Sequence, residues 1–315
     1  MANSALTWRA AKHCFAVSMQ VADLQPRTRD GYLAYINRFQ LWLEERGRDE
    51  SPATVTRTDV KEFLAAFREG YGVRYDRRAV NGRSPQSLRN CEIALGAFFG
   101  CLVREGEIEN DPTVTVRLTK VDIEPQPTYV EAEIKRLLLV CPPQSHEGVR
   151  NRALVLTLWD TGVRSSELVS MGLPDMQERR VAVRQKHQPG KPATRTVPFG
   201  VVTMQAVERY IRRWRIDAAP LWRGQRGSLT TSGLHQLIDR LCREADIECK
   251  GVHAFRRGAV AQMKRLGAND SDIAELLGWS PTTALQMIAR YSAAHKQELA
   301  QKAHQQFGPG DALRA

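Results

Sequence analysis

The sequence lacks the features that mark secreted, membrane-spanning and zinc-binding proteins. None of its six cysteines forms a CxxC pair, and Cys242 and Cys249 are seven apart, which is not a zinc-ligand spacing. There is no run of about 18 apolar residues, the length that a membrane helix needs, and the first residues lack the apolar stretch of a signal peptide. We therefore expect a soluble, cytoplasmic protein with free thiols, no metal and no cofactor.

The chain is basic, and its positive charge is unevenly distributed. The formal net charge is +11, from 46 Lys and Arg against 35 Asp and Glu, and residues 126–315 carry +10 of it. A basic surface favours a polyanionic partner. If that partner is DNA, the second part of the chain holds most of the phosphate contacts, and binding weakens steeply with salt.

The first third of the chain has the period of amphipathic helices. Apolar residues recur at three- and four-residue steps over residues 28–45 and 59–67. Ser84 and Pro85 are an N-cap and a first-turn proline, so they open a helix that ends at Gly106. The sequence therefore predicts a mainly α N-terminal domain over residues 1–112.

A segment with three prolines and no helical period, residues 111–128, predicts a linker over residues 113–127. After it, Thr128 and Glu131 form a capping-box pattern that predicts a helix start. Two strands, 181–185 and 194–199, are predicted to form a hairpin. Further helices are predicted at 149–160, 165–171, 201–215, 232–245, 254–266, 271–277 and 295–307. Residues 128–315 thus read as an α+β domain.

Four short stretches of this second domain hold residues that suit phosphate chemistry. In chain order the candidates are Arg164, Lys186, His253, Arg256, Trp279 and Tyr291. Arg164 follows a glycine and precedes a helix that Ser165 is expected to cap, where an anion would meet backbone N–H groups. Each stretch taken alone is more often a surface arginine, a solvated hairpin or a packed aromatic residue.

Taken together and in this order, the stretches resemble the tyrosine recombinase (phage integrase) family. That family has an arginine in a TGxRxxEL segment, a lysine in a β-hairpin, an HxxR pair, a Leu-Gly-His/Trp position and a C-terminal tyrosine. Here the segments read TGVRSSEL (161–168), HAFRRG (253–258) and LGWSPTTALQMIARYS (277–292). The resemblance covers residues 128 to about 306. Over residues 26–106 it is limited to helical content and size, as in the family's DNA-clamping, core-binding domain.

The resemblance implies a site-specific recombinase or integrase that cuts and rejoins double-stranded DNA without metal or ATP. Its intermediate would be a 3′-phosphotyrosyl bond, and the enzyme would assemble as a homotetramer on two DNA sites at the nucleoid, with or without accessory DNA-bending proteins. The other readings are a type IB topoisomerase-like enzyme and a non-catalytic DNA-binding regulator with the same fold.

The implied roles fit the chemistry of each residue type. Tyr291 attacks phosphorus, and the guanidiniums of Arg164 and Arg256 clamp the charged non-bridging oxygens. Lys186 protonates the leaving 5′-oxygen. His253 helps to deprotonate the tyrosine or binds the phosphate. The remaining candidate, a tryptophan, donates only through its indole N–H, so it packs and positions.

Two features depart from the usual family pattern. The hairpin sequence KHQPGK is longer than usual, which leaves Lys191 as an alternative to Lys186. The interval from Trp279 to Tyr291 is about three residues longer than usual, although Tyr291 is the only tyrosine after Tyr210. The final helix, 295–307, carries a thin apolar stripe, and it docks either on its own domain or on a neighbouring protomer.

Overall fold

A computed structural model describes residues 6–48, 50–71, 82–121, 126–184, 194–224, 227–292, 300–301 and 304–305, with only the backbone at 281–282 and 289–292. The chain divides into two compact units, Met1–Asp122 and Ile123–Ala315. The first is helical, and the second combines helices with small antiparallel sheets. The predicted fold class, an α domain followed by an α+β domain, is confirmed.

The described part of the first unit is built from helices around a central one. They are α1 (Trp8–Val21), α2 (Pro26–Glu44), α3 (Arg57–Arg68) and α4 (Pro85–Arg104), with a 3-10 turn at Pro52–Thr54. Helices α1, α2 and α3 all pack against α4. Because Leu88, Leu95 and Phe98 recur at helical spacing, they bury one face of α4 in this core.

Side-chain caps fix where these helices begin. The Thr7 hydroxyl accepts a backbone N–H of α1 at 3.1 Å, and the Ser84 hydroxyl accepts one of α4 at 3.2 Å. At α3, the Thr56 hydroxyl accepts the Asp59 N–H at 3.2 Å, and the Asp59 carboxylate accepts the Thr56 N–H at 2.8 Å. Each cap satisfies N–H groups that have no partner inside the helix.

Helix α1 is absent from the sequence prediction, which begins its first helix at residue 28. Its signal is nevertheless present, because Trp8, Ala11, Phe15 and Met19 lie on one face and are all buried. The Trp8 ring stacks on Phe98 with their centroids 6.1 Å apart. Packing against α4 therefore stabilises a segment whose own apolar content is modest.

The irregular segment after α4 is attached to the first unit. The buried Glu92 carboxylate of α4 accepts the Thr119 N–H at 2.7 Å and the Thr119 hydroxyl at 2.6 Å. Arg89 donates to the Thr119 carbonyl at 2.9 Å. The first part of the predicted linker thus packs against α4, and the connection to the second unit follows Thr119.

The second unit surrounds one buried helix. Its helices are α5 (Glu131–Leu139), α6 (His146–Thr161), α7 (Ser165–Val169), α8 (Val201–Trp214), α9 (Thr231–Glu244), α10 (His253–Arg265), α11 (Asp270–Leu277) and α12 (Pro281–Ser292). Helix α6 packs against α5, α8 and α10, and α12 packs against both α10 and α11. No helix in the described ranges has the length and apolarity to cross a bilayer.

Two short antiparallel sheets complete this unit. Strand β1 (Arg180–Arg184) pairs with β2 (Thr194–Pro198), with Val181 opposite Val197, and both valines are buried. The turn between them, residues 185–193, lies outside the described residues. Strands β3 (Arg223–Gly224) and β4 (Gly227–Ser228) were not predicted, because two-residue strands carry no alternating pattern.

Two predicted helix caps are wrong. The helix assigned to Thr128 and Glu131 begins at Glu131, with Val130 as its N-cap, because the Glu133 carboxylate accepts the Val130 N–H at 3.0 Å. The preceding residues are extended, and Tyr129 is buried beneath α10. The backbone of α10 approaches so closely that a Cβ at Gly258 would lie 2.4 Å from the Tyr129 carbonyl oxygen.

The other wrong cap is that of α7, whose predicted start at residue 165 is correct. Ser165 is its first residue rather than its cap, and the N-cap is Arg164. The reason is Glu167, whose carboxylate accepts the Arg164 N–H at 2.9 Å. Helix α12 was not predicted, although Ser280 caps it by accepting the Thr283 N–H at 3.3 Å.

Candidate active site

The turn between α6 and α7 brings the first candidate arginine to the site. Helix α6 ends at Gly162, which has φ +56° and ψ 24°, a left-handed conformation that favours glycine. A Cβ there would lie 2.9 Å from Leu277 Cδ2 and 3.6 Å from Arg256 Cγ. Position 162 therefore requires glycine, both for the left-handed backbone and because a side chain would meet Leu277 and Arg256. Arg164 follows this turn by two residues.

A buried carboxylate holds Arg164 in place. The Arg164 side chain is 27% exposed, whereas that of Glu167 is fully buried. Glu167 Oε1 accepts the Arg164 guanidinium at 2.8 Å. Its Oε2 accepts the Arg164 backbone N–H at 2.9 Å and the Arg195 guanidinium at 3.2 Å. One carboxylate thus fixes a helix start and two arginines.

The charge state of Glu167 follows from these contacts. Burial alone would raise the pKa of its carboxyl, but the Arg195 charge, the Arg164 N–H and the Arg164 charge outweigh burial and lower that pKa. Glu167 is therefore ionised at neutral pH. A buried, ionised carboxylate needs both arginines, because an unpaired buried charge is strongly unfavourable.

Arg256 is held even more firmly than Arg164. The residue is 1% exposed. Its guanidinium donates to the Gly162 carbonyl at 2.7 Å and to the Leu277 carbonyl at 3.0 Å. The guanidinium carbon also lies 4.9 Å from the centre of the Trp279 ring, a cation–π distance. Helix α10 thereby fixes Arg256 against the same turn that presents Arg164.

Two arginines meet at the C-terminal end of α11. Arg195, on β2, donates to the Leu276 carbonyl at 2.8 Å, and Arg256 donates to the Leu277 carbonyl. The last carbonyls of a helix lack intrahelical partners and carry partial negative charge, so cations stabilise this end. These contacts tie the hairpin, α10 and α11 together at the point where the chain turns towards Trp279.

His253 begins α10 at the edge of the same group of side chains. Desolvation of the ring, followed by the positive charges of Arg256, Arg257 and Arg164, lowers its pKa below the ordinary value. The residue is exposed to solvent, and all three nearby cations oppose protonation of its ring. The imidazole is therefore neutral at neutral pH and can accept a proton.

Trp279 and α12 complete the described part of the site. Trp279 is 8% exposed and packs in a small apolar cluster with Leu277, Ala284 and Ile288. This cluster fixes α12 against α10 and α11. Tyr291 lies in the last turn of α12, next to its final residue. Only its backbone is described, so the structure places the residue but not its hydroxyl.

Several sequence candidates fall outside the described residues. Lys186 and Lys191 both lie in the 185–193 turn, so their positions remain predictions. Of the predicted helix at 295–307, residues 300–301 and 304–305 are helical, and the rest is not described. Arg164, His253, Arg256 and Trp279 are brought together as expected from their order in the sequence.

Sequence reasoning missed the importance of two residues. Glu167 entered only as part of the TGVRSSEL segment, and Arg195 was not singled out as a site residue. The Arg195 side chain is 8% exposed and bonds inward, so it does not belong to a solvated hairpin face. An acidic residue three positions after an arginine at a helix start was the signal for Glu167. No local signal identified Arg195, since its partners are distant in sequence.

Comparison with known proteins finds matching family profiles in both units of the chain. The profile of the phage integrase family matches residues 129–298, and that of the phage integrase N-terminal SAM-like domain matches residues 14–102. Tyrosine recombinase XerC of Oceanobacillus iheyensis is 28% identical over 295 residues, which cover 90% of this chain and 91% of XerC. Tyrosine recombinase XerA of Pyrococcus furiosus is 26% identical, with 92% of each chain covered.

Solved structures share the fold. The Tn1549 transposon integrase in complex with circular intermediate DNA aligns with a TM-score of 0.67 and 20% identity, covering 91% of this chain and 95% of that one. A lambda integrase dimer bound to a COC′ core site aligns with a TM-score of 0.68 and 15% identity, covering 89% and 95%.

These matches first define the class of protein, a tyrosine-type DNA strand transferase that acts as a site-specific recombinase. The phage integrase profile alone matches more than half of the sequence, so the chain belongs to the phage integrase family. The family, the recombinase function and the enzyme class predicted from the sequence are confirmed.

Proposed function

We propose that this recombinase cuts and rejoins double-stranded DNA with Tyr291 as its nucleophile. Attack on the scissile phosphorus forms a 3′-phosphotyrosyl bond and releases a 5′-hydroxyl, and the reverse reaction joins the strands. The observation that carries this proposal is the pair of arginines fixed around one turn. Glu167 holds Arg164, and the Gly162 carbonyl holds Arg256.

The two arginines stabilise the transition state. Attack on phosphorus places negative charge on two non-bridging oxygens, and a guanidinium can donate paired hydrogen bonds to such oxygens. Arg164 is partly exposed and meets the phosphate first. Arg256 is buried, so its charge acts in surroundings with little water, where electrostatic effects are strong. Their fixed positions reduce the reorganisation that the reaction requires.

His253 accepts the tyrosine proton in this proposal. Its lowered pKa keeps the imidazole neutral and therefore basic before DNA binds. Trp279 does not transfer protons. It packs against Arg256 and anchors the start of α12, which carries Tyr291. The residue is thus a positioning group for both the guanidinium and the nucleophile.

A lysine of the hairpin turn protonates the leaving 5′-oxygen, with Lys186 preferred over Lys191. A substrate whose scissile 5′-oxygen is replaced by sulfur distinguishes the two, because a thiolate leaves without a proton. The variant of the true acid, Lys186→Ala or Lys191→Ala, cleaves the oxygen substrate slowly and the sulfur substrate at nearly the normal rate. Rescue of the Lys191 variant alone would reverse the preference.

We further propose that the protein acts as a homotetramer on two DNA sites, with or without accessory DNA-bending proteins. Support comes from the lambda integrase neighbour, which is a dimer on DNA. Residues 1–112 would clamp DNA, 113–127 would link the domains, and 128–315 would catalyse.

The final helix at 295–307 would dock on a neighbouring protomer. Deletion of 296–315 would then weaken cooperative two-site assembly and spare single-site binding, whereas unchanged cooperativity would indicate docking in cis.

A nicked suicide substrate tests the reaction. The cut releases a short 5′-hydroxyl fragment that diffuses away, so a covalent protein–DNA adduct accumulates. We expect an adduct with wild-type protein and none with Tyr291→Phe at equal DNA affinity. Absence of any adduct would favour a DNA-binding regulator. Cleavage and relaxation by a monomer, without bridging of two sites, would favour the topoisomerase-like alternative.

A further inference from the structure

Two of the cysteines lie together next to the segment that leads into the site. Cys242 is buried in the last turns of α9, and Cys249 is exposed in the loop before α10. Cys249 lies close enough to Cys242 to help raise the pKa of the Cys242 thiol. The chain between them therefore turns back on itself within seven residues.

Hydrogen bonds of the backbone stabilise the turn between Cys242 and Cys249. The Ile247 N–H donates to the Cys242 carbonyl at 3.0 Å. On the other side of Cys249, the Lys250 N–H donates to the Tyr129 hydroxyl at 3.0 Å, and that hydroxyl lies 3.2 Å from Cys242 Sγ. Residues on both sides of Cys249 are thus tied to Cys242, one directly and one through Tyr129. The two thiols remain neighbours while the fold is intact.

Lys250 fixes the far end of the loop. Its ammonium bonds to both Glu133 carboxylate oxygens, at 2.6 and 2.8 Å, and to the Thr128 carbonyl at 3.0 Å. The side chains of both residues in this ion pair are less than one-fifth exposed. The pair therefore restrains the loop against the start of α5.

The two thiols differ in access and in charge state. Burial, followed by the neighbouring Cys249 thiol, raises the pKa of Cys242 to about 11 although the Tyr129 hydroxyl bond lowers it, so Cys242 stays protonated at neutral pH. Cys249 is exposed. Oxidants in solution therefore reach Cys249 first, and Cys242 lies beside it as the resolving thiol.

We propose that Cys242 and Cys249 form a reversible modification site that a peroxide converts to an intramolecular disulfide. The Cys249 sulfur attacks one peroxide oxygen, the O–O bond breaks, and a sulfenic acid and water result. The Cys242 sulfur then attacks the sulfenyl sulfur, forms the S–S bond and displaces a second water. The two thiols lose two electrons and two protons, and hydrogen peroxide becomes two waters. A dithiol reductant reverses the change.

The disulfide would alter the site through the chain that joins it to α10. Forming it draws the sulfurs together to about 2.05 Å. Cys242 is fixed in the core, so the loop moves, and Cys249 is only four residues before His253. A displacement of about 1 Å in a catalytic group can cost on the order of 10²-fold in rate. This activity effect rests on the proposed function, and we expect cleavage to slow at least about tenfold.

Peptide mapping tests the bond directly. Reduced full-length protein is treated with hydrogen peroxide, alkylated and digested with trypsin without reduction. Trypsin separates the two cysteines into peptides 241–243 and 244–250. We expect these peptides joined, two hydrogen masses below their sum, and separated again by reductant. A Cys14→Ser background removes a second pair of neighbouring thiols, since Cys101 helps to raise the pKa of Cys14.

Three variants connect the bond to activity. Cys249→Ser and Cys242→Ser, the latter keeping a hydroxyl beside Tyr129, should lose both the linked peptide and the peroxide sensitivity of DNA cleavage. Cys141→Ser removes another buried thiol of the same unit and should keep both. All three are compared with wild type under reducing conditions, where we expect similar cleavage rates.

The outcomes separate the parts of this inference. Overoxidised Cys249 with Cys242 still alkylated, or a bond between two chains, would overturn the disulfide. A linked peptide with an unchanged cleavage rate would overturn the effect on the site. If the reduced protein forms no adduct at all, the proposed function fails, while the peptide map still decides whether the disulfide forms.

Discussion

Glu167 and Arg256 are the charged side chains that the fold buries most completely around the site, at 0% and 1% exposure. Burial of charge is unfavourable unless each charge is paired or hydrogen-bonded. Glu167 meets this need with Arg164 and Arg195, and Arg256 meets it with two backbone carbonyls and an aromatic face. The positive charge of the site is therefore positioned before any substrate arrives.

Lysine substitutions test whether the arginines act by geometry or by charge alone. We expect Arg164→Lys and Arg256→Lys each to slow cleavage by on the order of 10²-fold, because an ammonium cannot donate a planar pair of hydrogen bonds. Arg136→Lys serves as the control, since its exposed ion pair with Asp246 needs only charge. Single-turnover cleavage rates with suicide DNA provide the measurement. Near-normal rates in either site variant would contradict paired donation.

The lowered pKa of His253 predicts a stability change with pH. In the unfolded chain the imidazole binds a proton below about 6.5, whereas the folded protein resists protonation until the pH is lower. As pH falls through this window, the unfolded state binds more protons and the wild-type protein loses stability. His253→Gln, which cannot titrate, should lose less stability.

Urea unfolding of the wild type and of His253→Gln, followed between pH 5 and 8 (about 1.5 units on either side of the ordinary histidine value), measures this difference. The two curves should run parallel above that value and diverge below it. A variant that loses as much stability as the wild type on acidification would show that His253 is not the group responsible.

Among the elements, the junction of α6 with α11 holds the site together through one glycine. Gly162→Ala should destabilise the protein by about 1–2 kcal/mol from its left-handed backbone, and further from the contact with Leu277. It should also slow cleavage, because the Gly162 carbonyl anchors Arg256. Gly267→Ala is the control, since Gly267 also has positive φ but open space around a Cβ.

Denaturant unfolding and cleavage assays on both glycine variants separate these effects. The Gly267 variant should lose stability with little change in the cleavage rate per folded molecule. Equal cleavage rates in the two variants would show that the Gly162 turn does not position Arg256.

At the level of helices and strands, local sequence signals predict much of the fold. The Ser84-Pro85 pair predicted α4 correctly, and the same signal at Ser280 and Pro281 begins α12, although the prediction did not use it. The ordered motifs also identified four residues that the structure brings together. Helix caps were less predictable where a downstream glutamate, Glu133 or Glu167, bonds to a residue other than the expected cap.

Contacts between distant segments could not be predicted in this way. Arg195 bonds to Leu276 across 81 positions, and Arg256 bonds to Gly162 across 94. A basic residue on a hairpin has the same local pattern whether its side chain faces solvent or a helix end. Only the packed arrangement of the hairpin, α10 and α11 decides between these cases.

For the whole molecule, the division into two units predicts where a protease cuts first. Thr119 is tied to α4, whereas the exposed Lys120 comes next and lies two residues before Asp122, the last residue of the first unit. We expect limited trypsin digestion at Lys120 in preference to exposed arginines within helices, because helical backbone resists cleavage. Fragments beginning at residue 121, detected by mass spectrometry, would match this expectation. First cuts inside α4 or α6 would contradict it.

The uneven charge predicts how DNA binding responds to salt. Most of the excess positive charge belongs to residues 126–315. Neutralising exposed basic residues there should reduce the salt dependence of DNA affinity more than equal substitutions before residue 122, because each lost phosphate contact removes about one unit of slope. Equal changes in slope for the two sets would contradict this division.

The most direct test of the central claim identifies the residue that becomes attached to DNA. Adducts trapped on suicide DNA are digested with nuclease and trypsin, and the remaining nucleotide-bearing peptide is sequenced by mass spectrometry. Cleavage after Arg290 yields a peptide that begins at Tyr291. We predict a phosphodiester on Tyr291 and a free 5′-hydroxyl on the released strand. Attachment to any other residue, or a 5′-linked adduct, would contradict the account.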